Sequence, residues 1–198
     1  MILKFSPFIS IILSLLIING FFNLSSKTVC LTEKVFGRED KFFLKILNFF
    51  FIINLLSIIT FIYSLYFNFN LVFIKVVSFL IIMFGFYKPD YLKSLTNIFN
   101  LKQKKIFLIF SILFFYFLLS SSPITDPDSL DYHITIPLYQ LNFLSNPIDQ
   151  YWLTSQLSGA GESLFLYALS IGGLNFSQNL QFFSLLFLIL FILNFKNK

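Results

Sequence analysis

The chain has 198 residues, 57% of them hydrophobic and only 12% charged, with a mean hydropathy of +0.83 and a formal net charge of +5. Soluble domains carry about 25% charged residues, so this composition excludes an ordinary water-soluble globule and points to an integral membrane protein. The single cysteine, Cys30, excludes an internal disulfide, and with no histidine or second cysteine beside it Cys30 gives no metal signal.

A membrane-crossing helix needs about 17–25 mainly apolar residues. The first such run is Phe5–Leu24; it is too long for a cleaved leader and no small-residue cleavage site follows, so it reads as a retained helix. The loop Ser25–Lys45 carries Lys27, Lys34, Arg38, Lys41 and Lys45. The second run is Ile46–Phe67, and the uncharged turn Asn68-Phe69-Asn70 leads into the third, Leu71–Tyr87. Lys75 lies inside that third run, close enough to the turn for its amine to snorkel to the headgroups. A second basic loop, Lys88–Lys105, carries Lys88, Lys93, Lys102, Lys104 and Lys105, and the fourth run is Ile106–Ser120. Two less even runs follow the loop 121–152, over Leu153–Gly172 and Gln178–Phe195. The lysine loops read as topology signals rather than as a nucleic-acid surface, and the 31 phenylalanines as lipid-facing bulk.

The fold class expected is therefore an all-α integral membrane protein, a single polytopic domain of about six spans. Positive charge favours the cytoplasmic side, so both basic loops are placed inside and the loop 121–152 outside the cytoplasmic (inner) membrane. Two features strain this scheme: Lys4 and the amino group favour an inside N-terminus against the five charges across the first span, and six crossings carry Lys196 and Lys198 to the outside.

Between Ser121 and Gly161 the chain gathers Asp126, Asp128, Asp131 and Asp149, its only histidine and its only tryptophan, with no Lys or Arg. Asp126-Pro127 reads as a helix start, because Asp caps free N–H groups and Pro suits the first helical position. A helix over Pro127–Leu141 puts Leu130, Ile134, Pro137, Leu138 and Leu141 on one apolar stripe, and Asp128, Asp131, Tyr132, Thr135 and Tyr139 on the other face. Such a helix would lie in the membrane interface, bent at Pro137. Asp128 and Asp131, at i,i+3, are like charges that oppose each other's ionisation. A carboxylate so placed can take a proton from an attacking hydroxyl or bind a divalent cation; the same residues also read as capping with a solvated acidic face. His133 suits interfacial packing, and equally a phosphate or metal contact. Tyr151-Trp152 mark a water–lipid boundary. Ser155, Gly159 and Ser163 repeat at four-residue spacing for close helix packing. Glu162 either faces the same cavity or pairs with a polar neighbour. Gly172-Gly173 is expected to close that helix as a C-cap.

Thr125-Asp126-Pro127-Asp128-Ser129-Leu130-Asp131-Tyr132-His133, with Pro137-Leu138-Tyr139 downstream, resembles the acidic-loop pattern of bacterial polytopic proteins similar to GT-C glycosyltransferases, which include protein O-mannosyltransferases and aminoarabinose transferases. The likeness covers about Phe107–Phe195, and its nine-residue motif is the distinctive part. It implies an inverting sugar transfer from a polyprenyl-phosphate-linked donor to an extracytoplasmic acceptor in envelope glycan assembly. The relatives' base is an Asp with a Tyr four positions on, which matches Asp128 and Tyr132; Asp126, Asp131, Tyr132, His133 and Glu162 would support it. Relatives have more spans and a cation near the donor phosphate, so the chain corresponds to an N-terminal part, with a second chain as the alternative source of the missing helices. No cofactor is identified, and a divalent cation stays open. The rival readings are a non-enzymatic transporter or flippase component, and an inactive truncated remnant.

Overall fold

The computed structural model describes residues 6–36, 41–66, 70–92, 95, 103–122, 134–143 and 160–196. Among these every regular element is a helix: α1 Pro7–Phe36, α2 Lys41–Tyr66, α3 Leu71–Gly85, α4 Gln103–Ser120, α5 Thr135–Phe143, α6 Ala160–Leu169 and α7 Phe176–Lys196. Three of them are long and apolar enough to cross a membrane, over Pro7–Cys30, Lys41–Tyr63 and Phe176–Leu193, and α3 is a shorter apolar helix. The all-helical membrane class therefore holds in its coarse form.

Local chemistry sets the helix ends. The Ser6 hydroxyl accepts from the Ile9 N–H ahead of α1, and the Asn70 side chain accepts from the Phe73 N–H at 3.1 Å ahead of α3. Each supplies a partner to a backbone donor that the helix itself leaves empty. Nothing between Ser25 and Phe36 is Gly or Pro, and α1 continues as far as Phe36, into the segment Ser25–Lys45 expected as a loop. Its 30 residues span about 45 Å at 1.5 Å per residue, more than a hydrocarbon core of about 30 Å. Lys27 and Lys34 thus ride on a helix, and Ser25 and Val29 are buried.

α1 is the central element, packing on α2, α3 and α7, while α4 lies against α7. The core holds an aromatic cluster: Phe22 and Phe187 lie 5.0 Å apart, Phe22 and Tyr91 also 5.0 Å, and Phe49 and Phe187 5.2 Å. So the phenylalanines divide. Phe21, Phe22, Phe49, Phe176 and Phe187 are sealed inside, whereas Phe8, Phe51, Phe79, Phe107 and Phe115 face outward. Composition alone assigned them all to lipid.

α1 and α3 touch backbone to backbone. A Cβ on Gly20 would overlap the Ile81 carbonyl oxygen, and one on Gly85 would overlap that of Leu16. The Asn19 amide donates to the Gly85 carbonyl at 2.5 Å and to Tyr87 at 3.2 Å; Asn23 donates to Phe84 at 2.8 Å and Tyr87 at 2.9 Å. Two side chains of α1 therefore satisfy carbonyls that the end of α3 leaves open.

Lys27 and Lys45 lie at the same end of the bundle. Lys45 at the start of α2 pairs with Asp90 just past α3, and the Lys27 amine sits 4.6 Å over the Phe84 ring. Phe43 of α2 stacks near Phe191 of α7 at 5.3 Å, so α7 finishes at this same basic end. At the opposite end, Ser120 donates to Asn179 at 3.1 Å, and Asn175 donates to the Ser122 carbonyl at 3.0 Å. The last turn of α4 and the first of α7 thus adjoin. Between them, among the described residues, lie α5 and the ten residues of α6.

Candidate functional site

The acidic motif residues Asp126, Asp128, Asp131, Tyr132 and His133 lie outside the described residues, as do Asp149, Tyr151 and Trp152. What the structure describes is the scaffold on both sides of that motif. Upstream, Ser122 is fixed by Asn175, and the Gln178 amide lies 3.2 and 3.1 Å from the carbonyls of Ser120 and Ser122. Ser10 of α1 completes the anchor: its hydroxyl accepts from the Leu174 N–H at 2.8 Å and donates to Asn175 Oδ1 at 3.3 Å. Asn179 is fully buried, and its Nδ2 has no hydrogen-bond partner among the described residues. A buried donor left open costs about 1–3 kcal/mol, so the spot suits a water or another acceptor.

Downstream, α5 is the described part of the helix expected over Pro127–Leu141. Pro137 and Leu141 are buried as the stripe requires, and Thr135 is exposed. Ile136 and Gln140 are buried as well, so the inward face is turned from the expected one, because α5 packs on α6 rather than lying on lipid alone. Pro137 falls in the first turn of the described helix, where its missing N–H is harmless; the residues before Ile134, which the expected bend would involve, lie outside the described residues.

α6 carries Glu162 in its first turn, where the helix dipole favours a negative charge. Glu162 is buried at 8% exposure, beside Ser163 at 2%, and both engage partners within the fold. Further along α6, the Tyr167 hydroxyl bonds Thr60 of α2 at 2.5 Å, while Ser78 of α3 donates to the Tyr167 carbonyl at 2.8 Å and lies 3.1 Å from Ser170. These links fasten α6 to α2, a helix of crossing length, and to the shorter apolar α3. The helix then closes as expected: Gly172 has φ 90°, Gly173 N–H donates to Ala168 at 2.8 Å and Gly172 N–H to Leu169 at 3.0 Å. That pair of bonds is a Schellman cap, which only a glycine adopts without strain. Ser14 of α1 sits against Gly173, 3.1 Å from where a Cβ would be.

Of the site residues expected from sequence, only Glu162 falls on the described scaffold. The anchors Ser10, Ser14, Asn175, Asn179, Thr60, Ser78 and Tyr167 were not singled out beforehand. A signal for several existed: Ser10/Ser14, Asn19/Asn23 and Asn175/Asn179 are polar pairs four residues apart in apolar helices, hence on one face. Among the described residues no three His, Cys, Asp or Glu side chains come together as a metal site.

A family model described as the DUF1420 N-terminal domain matches residues 83–198, more than half of the chain. The chain belongs to this family. The matched region runs from the end of α3 through α7 and takes in the acidic motif, Glu162 and the Ser122–Asn175 anchor. It leaves out α1 and α2, although α1 provides the central packing surface. No curated protein and no solved structure matches the chain.

Proposed function

We propose that this DUF1420-family chain is a GT-C-like glycosyltransferase, or the N-terminal part of one. It would transfer a sugar from a polyprenyl-phosphate-linked donor to an acceptor outside the cytoplasm. The observation that carries the reading is the motif Thr125–His133; its attachment point, Ser122, is pinned to Asn175 at the end opposite Lys27 and Lys45. Positive charge favours the cytoplasmic side, so an extracytoplasmic acidic loop in the inner membrane fits that polarity.

In this reading Asp128 accepts the proton of the acceptor hydroxyl as its oxygen attacks the anomeric carbon. The new C–O bond forms with inversion while the lipid phosphate leaves from the opposite face with the bonding electrons. Asp126, followed by Pro127, caps the motif helix; Asp131, Tyr132 and His133 orient the base, and Glu162 supports the cavity from α6. General-base catalysis contributes typically 10²–10⁴-fold. Asp128→Asn should therefore remove transfer by that order in membranes carrying the chain and a polyprenyl-linked sugar donor, with insertion unchanged. Near-normal transfer by a correctly inserted Asp128→Asn protein would reject the assignment, and no transfer by the unaltered chain would favour an inactive remnant.

One observation favours a second reading, a transporter or flippase component. Glu162 is a buried acid on α6, which packs against the apolar helices α2 and α3, and acids in such settings mark ion or proton paths. Glu162→Gln abolishing substrate movement while Asp128→Asn leaves it intact would select that reading.

A further inference from the structure

α2 and α3 meet near their turn, where the Tyr63 and Phe73 rings lie 5.9 Å apart. Nearer the basic end they flank a groove of about 360 Å³ over α1. Phe21 and Leu24 form its floor, Ile52 and Leu56 one wall, and Val77 and Phe84 the other. Every lining side chain is apolar. The stretch from Val77 to Phe84 rises about 10 Å, within the depth of one leaflet of a hydrocarbon core about 30 Å thick. Its volume lies in the range of about 300–1,000 Å³ that takes a small-molecule chain rather than a helix.

The basic end of the groove is capped by a cation. Lys27 stands one turn beyond Leu24 on α1, with its amine 4.6 Å over the Phe84 ring and 5.5 Å from the centre of the Tyr87 ring. Cation–π contact holds the amine at the groove's mouth. Lys27 is exposed, and among the described residues it makes no ion pair. An apolar slot one leaflet deep, ending in an aromatic-held ammonium, complements a ligand with an aliphatic tail and an anionic head.

We propose that this groove seats an acyl chain of an anionic glycerophospholipid of the basic-end leaflet, with its phosphate on Lys27. The proposal requires the basic end to lie at a membrane surface and is independent of sugar transfer. A basic side chain at an anionic surface is worth about 1 kcal/mol, which converts to about fivefold in relative affinity.

The test places a tryptophan reporter in the groove by Leu80→Trp, in a Trp152→Phe background, in vesicles of phosphatidylcholine. A parallel reporter, Phe79→Trp, sits at the same depth on the outward face of α3. Quenching is compared for brominated-chain phosphatidylglycerol and brominated-chain phosphatidylcholine. The expected result is about a fivefold preference for phosphatidylglycerol at Leu80→Trp beyond that at Phe79→Trp, lost on Lys27→Gln and kept on Lys34→Gln. Equal quenching by the two lipids, or a preference that survives Lys27→Gln, would overturn the proposal. Quenching by neither lipid would also overturn it, because a polypeptide segment would then cover the groove.

Discussion

Replacing Gly20 by alanine probes the contact on which the α1–α3 pair depends. The added methyl carbon would overlap the Ile81 carbonyl oxygen and lie 2.8 Å from its carbonyl carbon, where ordinary contact begins at 3.4 Å. Both obstructing atoms are backbone, so no rotamer relieves the clash and the helix axes must part by more than half an ångström. Parting them stretches the four bonds from Asn19 and Asn23 to the end of α3, each worth about 0.5–1.5 kcal/mol net. Overpacking of this kind costs about 1–3 kcal/mol. Alanine's better helix propensity returns about 1 kcal/mol, leaving a net loss of up to about 2 kcal/mol from overpacking, with about 1 kcal/mol more for each of the four bonds that breaks. Gly85→Ala meets the Leu16 backbone in the same way, and since one separation relieves both clashes, the double variant should cost less than the sum of the two. The assay is reversible unfolding in mixed micelles of native detergent and dodecyl sulfate. A loss below about 0.5 kcal/mol for Gly20→Ala, or strict additivity in the double variant, would refute the close backbone contact.

Other outcomes follow from charge and burial. With Cys30→Ser as background, single cysteines at positions 34, 104 and 196 should behave alike toward a membrane-impermeant thiol reagent in intact cells, and oppositely to one at position 122; reaction at 196 but not at 34 would contradict the course of α7. Burial pushes the Tyr91 phenol up to about 12 from the usual 10. A raised folded-state value means stability is constant below pH 10 and falls as pH rises from 10 towards 12, by about 2–3 kcal/mol at 1.36 kcal/mol per unit. Tyr91→Phe should flatten that fall, measured as unfolding midpoint against pH, and an unchanged slope would place the phenol in water.

The helical class and the membrane environment were legible in the sequence because both depend on near-neighbour composition: long apolar runs, few charges and no way to satisfy an open strand in lipid. The Gly172-Gly173 cap was legible for the same reason, since a left-handed residue after an apolar run is a local demand. The acidic cluster Asp126–Asp131 was equally plain on the page, and its chemistry is still read from residue type and resemblance. Other features depended on residues far apart in the chain. Leu24 and Ser25 show no break in helix-forming residues, so only packing of Ser25 and Val29 reveals that α1 continues past the bilayer's thickness. The direction of α7 could not be read from hydropathy, which counts apolar runs but not returns. The hydrogen bonds of Ser120 and Ser122 to Asn179 and Asn175 join residues more than fifty positions apart, and they set the start of α7 beside the end of α4. The division of phenylalanines between lipid and core was tertiary as well, because identical side chains differ only in which helix stands opposite them.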